Sequence, residues 1–126
     1  MSTSPRFSGA AGKDNTDRLA FNDYQNPTYA ASIALAIKPN ATKTTVQITL
    51  TGALTLTIGV GSATTAPYVG DEVLILVKSD ASIRVVTFST GFQPAGTLST
   101  VASKTVAASF VFDGTGWQET GRAIQA

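Results

Sequence analysis

The chain has 126 residues and a formal net charge of +1, and only 13% of its residues are charged. It contains no cysteine and no histidine, which excludes disulfides, thiolate nucleophiles, sulfur-ligated metals and Ser-His or Cys-His catalytic pairs. The near-neutral charge, without any run of like charge, argues against binding to nucleic acid or to an anionic membrane.

Residues 1–27 differ from the rest of the chain. They are small and polar, glycine and proline interrupt them, and their basic and acidic residues balance. They contain no apolar signal-peptide core, and nowhere does the sequence approach the length of a membrane span. A segment of this composition buries little apolar surface by itself, so it becomes ordered only against another surface, which a second chain can supply. We therefore predict an extended N-terminal arm over residues 1–27, followed by one β domain over residues 28–126.

Three strands are predicted in the first half of the domain. Residues 29–37 alternate larger apolar residues with small ones, which favours a strand over a short helix. Residues 44–50 alternate Val, Ile and Leu with Thr and Gln, the pattern of a half-buried strand. The same alternation resumes at residues 54–60 after Thr51-Gly52. The last two strands are therefore predicted to be neighbours joined by a tight turn or a bulge.

Residues 73–77 form a continuous apolar run. A run of this length predicts a strand that is buried on both faces in the middle of a sheet. After a turn at residues 79–82, residues 83–90 are predicted to return as its hairpin partner. Residues 98–101 predict a further, weaker strand.

The clearest hairpin signal lies near the C-terminus, at Asp113-Gly114. This pair suits a tight turn because glycine adopts positive φ freely and Asp tolerates it. A two-residue turn pairs Phe112 with Thr115, whereas a four-residue loop pairs Phe112 with Trp117. Either register places Trp117 on the same face as Phe110 and Phe112, so Trp117 is predicted to lie in the core.

These segments amount to about eight or nine strands at roughly ten-residue spacing, with no convincing internal repeat. The spacing indicates an all-β fold, either an antiparallel β-sandwich or a small jelly-roll-like barrel with an extended N-terminal arm.

Carboxylates are the remaining candidates for catalysis or metal binding in a chain without histidine. Asp80 and Asp113 lie in turn sequences where Asp hydrogen-bonds locally, and Asp71-Glu72 follows a glycine at a strand entry. No segment has the ligand spacing of a calcium loop. Gly59-Val60-Gly61 lacks the third glycine of a nucleotide-binding loop. We therefore expect no enzymatic activity, no metal and no cofactor.

Aromatic residues offer the one credible binding surface. Five rings could line a platform for a sugar, although Trp117 fits the core better: Tyr24, Tyr29, Tyr68, Phe92 and Trp117. Phe92 lies in a predicted loop between Gly91 and Pro94. An exposed loop phenylalanine is typical of an interface anchor, so Phe92 is predicted to contact another subunit.

Several segments between residues 44 and 122 resemble small β-sandwich virion proteins of tailed bacteriophages, such as head decoration proteins and fibre modules. The resemblance rests on Thr-rich strands and on four segments: Gly70-Asp71-Glu72-Val73-Leu74-Ile75-Leu76, Arg84-Val85-Val86-Thr87-Phe88, Lys104-Thr105-Val106 and Phe112-Asp113-Gly114-Thr115-Gly116-Trp117-Gln118-Glu119. It implies a structural protein that assembles as a homo-oligomer, often a trimer, on a capsid or tail surface, with a terminal arm that contacts neighbours.

From this resemblance we expect a capsid decoration or auxiliary head protein that binds the major capsid protein or other virion proteins. Its place would be the virion, assembled in the host cytoplasm, without nucleic-acid or membrane contacts. A tail, fibre or baseplate component and a module that binds host glycans are the alternatives. The candidates for contacts between subunits are Arg6, Phe7, Arg18, Phe21, Tyr24, Tyr68 and Phe92.

Overall fold

Ten strands in two sheets make up the fold in this computed structural model, which describes residues 21–61, 67–93 and 96–124. The strands are β1 (Phe21–Gln25), β2 (Ser32–Leu35), β3 (Ala41–Leu50), β4 (Leu54–Ile58), β5 (Glu72–Ser79), β6 (Val85–Phe88), β7 (Phe92–Gln93), β8 (Gly96–Ser99), β9 (Thr105–Phe112) and β10 (Trp117–Ile124). One sheet has the order β1-β3-β5-β9-β10-β7 and the other the order β2-β4-β6-β8. The predicted all-β class is confirmed.

From β1 to β6 the chain alternates between the two sheets. β1, β3 and β5 lie side by side and parallel in the six-stranded sheet, and β2, β4 and β6 do the same in the four-stranded sheet. The path therefore winds around the core. Asn22 pairs with Lys43, and Lys43 pairs with Glu72. The chain therefore uses different numbers of residues for successive passes around the core, and this explains why the sequence shows no repeat.

The prediction of an antiparallel sandwich is wrong for these six strands. β3 and β4 were expected to pair, as were β5 and β6, but each pair is split between the two sheets. Antiparallel pairing is found between β5 and β9, β9 and β10, and β6 and β8. The physical reason is that alternation shows which face of a strand is buried, and this pattern is the same whether the neighbouring strand is parallel or antiparallel.

The closing hairpin of β9 and β10 is confirmed, with Phe112 opposite Trp117 as the four-residue loop requires. The Asp113 amide donates to the Gly116 carbonyl at 3.0 Å. The Asp113 Oδ1 atom accepts the amides of Thr115 and Gly116 at 2.9 and 3.0 Å. Gly114 takes a φ of 105°, which a side chain would strain. The loop is therefore fixed by its own residues.

The two sheets pack on one apolar core, which gives a β-sandwich-like arrangement. The prediction that Trp117 lies in the core is confirmed, since its side chain is 0% exposed and its ring centre lies 5.3 Å from that of Phe112. The Trp117 indole Nε1 donates to the carbonyl of Gly59, just beyond β4 of the opposite sheet, at 3.0 Å. Trp117 therefore joins the two sheets by packing and by a hydrogen bond.

The apolar run at residues 73–77 lies in β5, an interior strand flanked by β3 and β9. Val73, Ile75 and Val77 are buried, as predicted, but Leu74 and Leu76 are only half-buried on the outer face of the sheet. The prediction that β5 is buried on both faces is therefore wrong for its outer face, because no described strand covers that face of the sheet.

Part of the predicted N-terminal arm belongs to the sheet. Residues Phe21–Gln25 lie within the span 1–27, but they form β1 and pair with β3. Residues 1–20 lie outside the described part of the chain, so the arm stays a prediction for them.

Candidate interaction surface

Of the residues predicted to contact other subunits, Arg6, Phe7 and Arg18 lie outside the described ranges. The structure places Phe21 and Tyr24 on β1, at the edge of the six-stranded sheet. Both side chains are well exposed, Phe21 at 42% and Tyr24 at 58%. Two aromatic rings thus stand at an edge where the chain enters the sheet from residue 20.

Polar contacts hold β1 in place. The Tyr24 hydroxyl donates to Gln47 Oε1 on β3 at 2.8 Å. Asp23 is buried, and its Oδ1 atom lies 3.3 Å from Lys38 Nζ. The Gln25 amide nitrogen donates to the other Asp23 carboxylate oxygen at 3.1 Å. A buried carboxylate with a cation and an amide donor beside it fixes the strand in one register. The exposed rings are therefore presented by an ordered element.

A groove, hereafter the outer groove, lies on the outer face of the same sheet. Its volume is about 380 Å³. The residues that line it are Lys43, Glu72, Val73, Leu74, Ser109, Phe110, Val111 and Thr120. A second depression of about 300 Å³ shares Leu74 and Ser109 with it and extends over Ala107, Gly121 and Ala123.

The outer groove exists because large and small side chains face each other across neighbouring strands. Leu74 lies opposite Ser109, and Leu76 lies opposite Ala107. Small residues on β9 leave a depression beside the leucines, and β10 shifts register between Glu119 and Gly121. The Ser109 and Thr120 hydroxyls lie 2.8 Å apart and pair with each other. The sequence did not reveal this feature, because the continuous apolar run at residues 73–77 predicts that both faces of β5 are buried.

The prediction that Phe92 is an exposed anchor is wrong. Phe92 is 4% exposed and forms part of β7, which pairs in parallel with β10. Its ring centre lies 5.0 Å from that of Phe88 and 4.9 Å from that of Phe110. The cause is Gly91, whose φ of 96° turns the chain back so that the next side chain points inward. A two-residue strand is too short for periodicity to indicate its buried face.

Tyr68 is half-buried next to a turn, and its backbone amide donates to Asp71 Oδ2 at 2.9 Å. Of the five rings predicted to line a sugar platform, Phe92 and Trp117 are buried, whereas Tyr24 is 58% exposed. Phe92 and Trp117 therefore cannot stack on a glycan, and the carbohydrate alternative stays a hypothesis that rests on the tyrosines.

The carboxylates serve as turn and ion-pair residues. Asp80 accepts the Ser82 amide at 3.2 Å and binds the Arg84 guanidinium through two contacts of 3.0 and 2.7 Å. The hydrogen bond from Arg84 is the main reason that the pKa of Asp80 lies below its usual value. The turn roles predicted for Asp80 and Asp113 are confirmed. Glu119 pairs with Arg122, whose Nη2 atom lies 3.1 Å from Glu119 Oε1.

Within residues 21–61, 67–93 and 96–124, no group of three or more acidic, His or Cys side chains is placed to hold a metal ion. The same ranges contain no helix with the length and apolar character that a membrane crossing requires. The edge at β1 and the outer groove are two candidate interaction surfaces among the described residues.

Comparison of the chain with protein-family models and with curated protein sequences gives no match.

Proposed function

We propose that this chain is a virion structural protein of a tailed bacteriophage, a capsid decoration or auxiliary head protein that assembles as a homo-oligomer, with a trimer favoured. Its partners are further copies of itself and the major capsid protein. The observation that carries the proposal is the β1 edge, where Phe21 and Tyr24 are exposed directly after the polar N-terminal residues. An exposed strand edge that carries aromatic side chains is a surface suited to protein association.

Stabilisation would follow from mass action. A protein that binds only the assembled shell lowers the free energy of that shell relative to its dissociated subunits. Residues 1–20 would add contact area across the joints between capsid subunits, and β1 would fix the point from which they extend. A formal net charge of +1 gives little electrostatic attraction to packaged nucleic acid, which suits a position on the outside of a head.

Binding to phage heads tests the proposal. The purified chain would be mixed with DNA-free heads of tailed bacteriophages that lack their own decoration protein, and the heads would then be sedimented. We expect saturable binding at a fixed ratio of chain to capsid subunit, with a rise in the temperature at which the heads rupture. Albumin added to the same heads serves as the control. Folded protein that stays in the supernatant with every head tested would contradict the proposal.

A further inference from the structure

The outer groove lies beside the N-terminal ends of β3 and β5, level with the point where the chain enters β1. Asn22, Lys43 and Glu72 are successive register partners on β1, β3 and β5. Lys43 and Glu72 are also part of the groove lining. Since neighbouring strands are about 4.8 Å apart, the groove lining begins about 5 Å from β1 at Lys43 and reaches about 10 Å at Glu72.

The chemistry of the groove suits an aromatic side chain, and the Glu72 carboxylate can accept a second cation beside Lys43, its partner on the neighbouring strand. Leu74 and Val111 form half-buried apolar parts of the lining, and Glu72 is an exposed carboxylate among the same lining residues. The groove volume of about 380 Å³ is ample for one ring, since an apolar cavity of about 150 Å³ already holds benzene.

The N-terminal residues contain one such pair. Phe7 is the single aromatic residue among residues 1–20, and Arg6 precedes it directly. The fourteen residue-to-residue steps from Phe7 to Phe21 span up to about 46 Å when extended. This reach covers the groove of the same chain and also that of a neighbouring molecule, and the proposed homo-oligomer favours the neighbour.

We infer that the outer groove receives Phe7 from a second copy of this chain, with Arg6 beside Glu72. The inference rests on the proposed function, because it identifies the surface that the N-terminal residues of a neighbour would contact in the homo-oligomer. Exchange of N-terminal segments between copies links them without requiring a large flat interface.

Cysteine trapping tests this inference cleanly, because the natural chain has no cysteine. A nitrogen-15-labelled full chain carrying Phe7→Cys would be mixed with an unlabelled full chain carrying Val111→Cys, then mildly oxidised and weighed by mass spectrometry. Docking raises the local concentration of the two thiols. We expect at least about tenfold more labelled–unlabelled disulfide dimer than with Ser99→Cys, an exposed control position on β8 of the other sheet.

A second groove position guards against misfolding at Val111. Glu72→Cys replaces an exposed residue of the lining, and it should trap Phe7→Cys to a similar extent. Disulfide dimer at the level of the Ser99→Cys control, for both groove positions, would overturn the inference. So would a chain carrying Phe7→Cys and Val111→Cys together that closes its disulfide within one molecule.

Sedimentation of the natural chain separates the two failures. A defined oligomer without groove trapping would overturn the groove assignment alone. A monomer at every concentration would contradict the proposed homo-oligomer as well.

Discussion

Three phenylalanine rings hold the two sheets together at the level of single residues. Phe88 belongs to β6 of the four-stranded sheet, and its ring centre lies 5.1 Å from that of Phe110 and 5.0 Å from that of Phe92. Both contacts are edge-to-face, a geometry that contributes about 0.5–1.5 kcal/mol per pair beyond the burial of apolar area. Because Phe110 and Phe92 belong to the other sheet, the cluster ties the sandwich across its core.

Phe92 and Phe21 were both predicted to contact other subunits, but the structure predicts that their replacement lowers the free energy of unfolding by different amounts. Phe92→Ala should lower the free energy of unfolding by about 3–5 kcal/mol, because it leaves a cavity among the core rings. Phe21→Ala should change it by no more than about 0.5 kcal/mol, because the side chain is 42% exposed. Urea unfolding followed by the fluorescence of Trp117 would measure both. Equally small effects would contradict the buried position of Phe92.

Asp113 makes the free energy of unfolding depend on pH in the acid range. The amides of Thr115 and then Gly116 hydrogen-bond its carboxylate and hold its pKa below the usual value. An unfolded Asp has a pKa of about 3.9. The contribution of Asp113 is therefore fully present above that pH, and it is lost as the pH falls through the lower folded pKa. Asp113→Asn should lose less stability than the natural chain between pH 5 and pH 2.

Urea midpoints recorded across that pH range would measure the difference. Comparison at pH 5 and pH 7 is the internal control, because Asp113 is ionised in both states there. Identical acid dependence in the variant and the natural chain would show that Asp113 contributes nothing to it.

At the scale of elements, the turn between β6 and β7 brings the sheets into close contact. Gly91 has a φ of 96°, and a Cβ atom at this position would collide with the carbonyl oxygen of Ile58 at the end of β4. The Gly91 carbonyl also accepts the Trp117 amide at 2.8 Å. Glycine is therefore required here both for its backbone conformation and for the space it leaves.

Gly91→Ala and Gly70→Ala separate these two requirements. Gly70 has a nearly equal φ of 95°, but nothing lies within 4 Å of its added Cβ. Gly70→Ala should cost about 1–2 kcal/mol of stability from backbone strain alone. Gly91→Ala should cost about 1–3 kcal/mol more, because the backbone of Ile58 must move. Equal costs in urea unfolding would mean that the close contact with Ile58 is not maintained.

Local signals in the sequence predicted some elements fully and others only by face. Asp113-Gly114 predicted the closing hairpin, and the structure selects the four-residue loop from the two registers that the sequence left open. The alternation of Val46, Ile48 and Leu50 identified the buried face of β3, but their parallel partners on β5 lie far along the chain and leave no local mark. Strand pairing depends on such distant contacts, so the winding of the chain was not predictable from one sequence.

The candidate surface was predicted in the same uneven way. Phe21 and Tyr24 were identified from the composition around them, and the structure finds both exposed. The outer groove was missed because it arises from the pairing of Leu74 with Ser109, which only the fold establishes. Phe92 was placed outside because nothing local to it reports that Gly91 reverses the chain.

At the scale of the whole molecule, the two ends of the sandwich differ. β1 and β2 form the edges of their sheets at one end, and β7 and β8 form the edges at the other. Arg122 of β10 donates to the Thr97 carbonyl of β8 at 2.9 Å and so links the sheets toward the second end. The first end carries the exposed rings of Phe21 and Tyr24, and association through that end is the central claim of the proposed function.

The mass of the protein in solution tests this claim most directly. Sedimentation velocity would compare the full chain with a chain that begins at Phe21 and retains all described strands, over a range of concentrations. Circular dichroism would confirm that the β fold and the packing of Trp117 are unchanged. We predict a defined oligomer, a trimer, for the full chain and a smaller species for the shortened one. Stable monomers of both folded chains at every concentration would contradict the account.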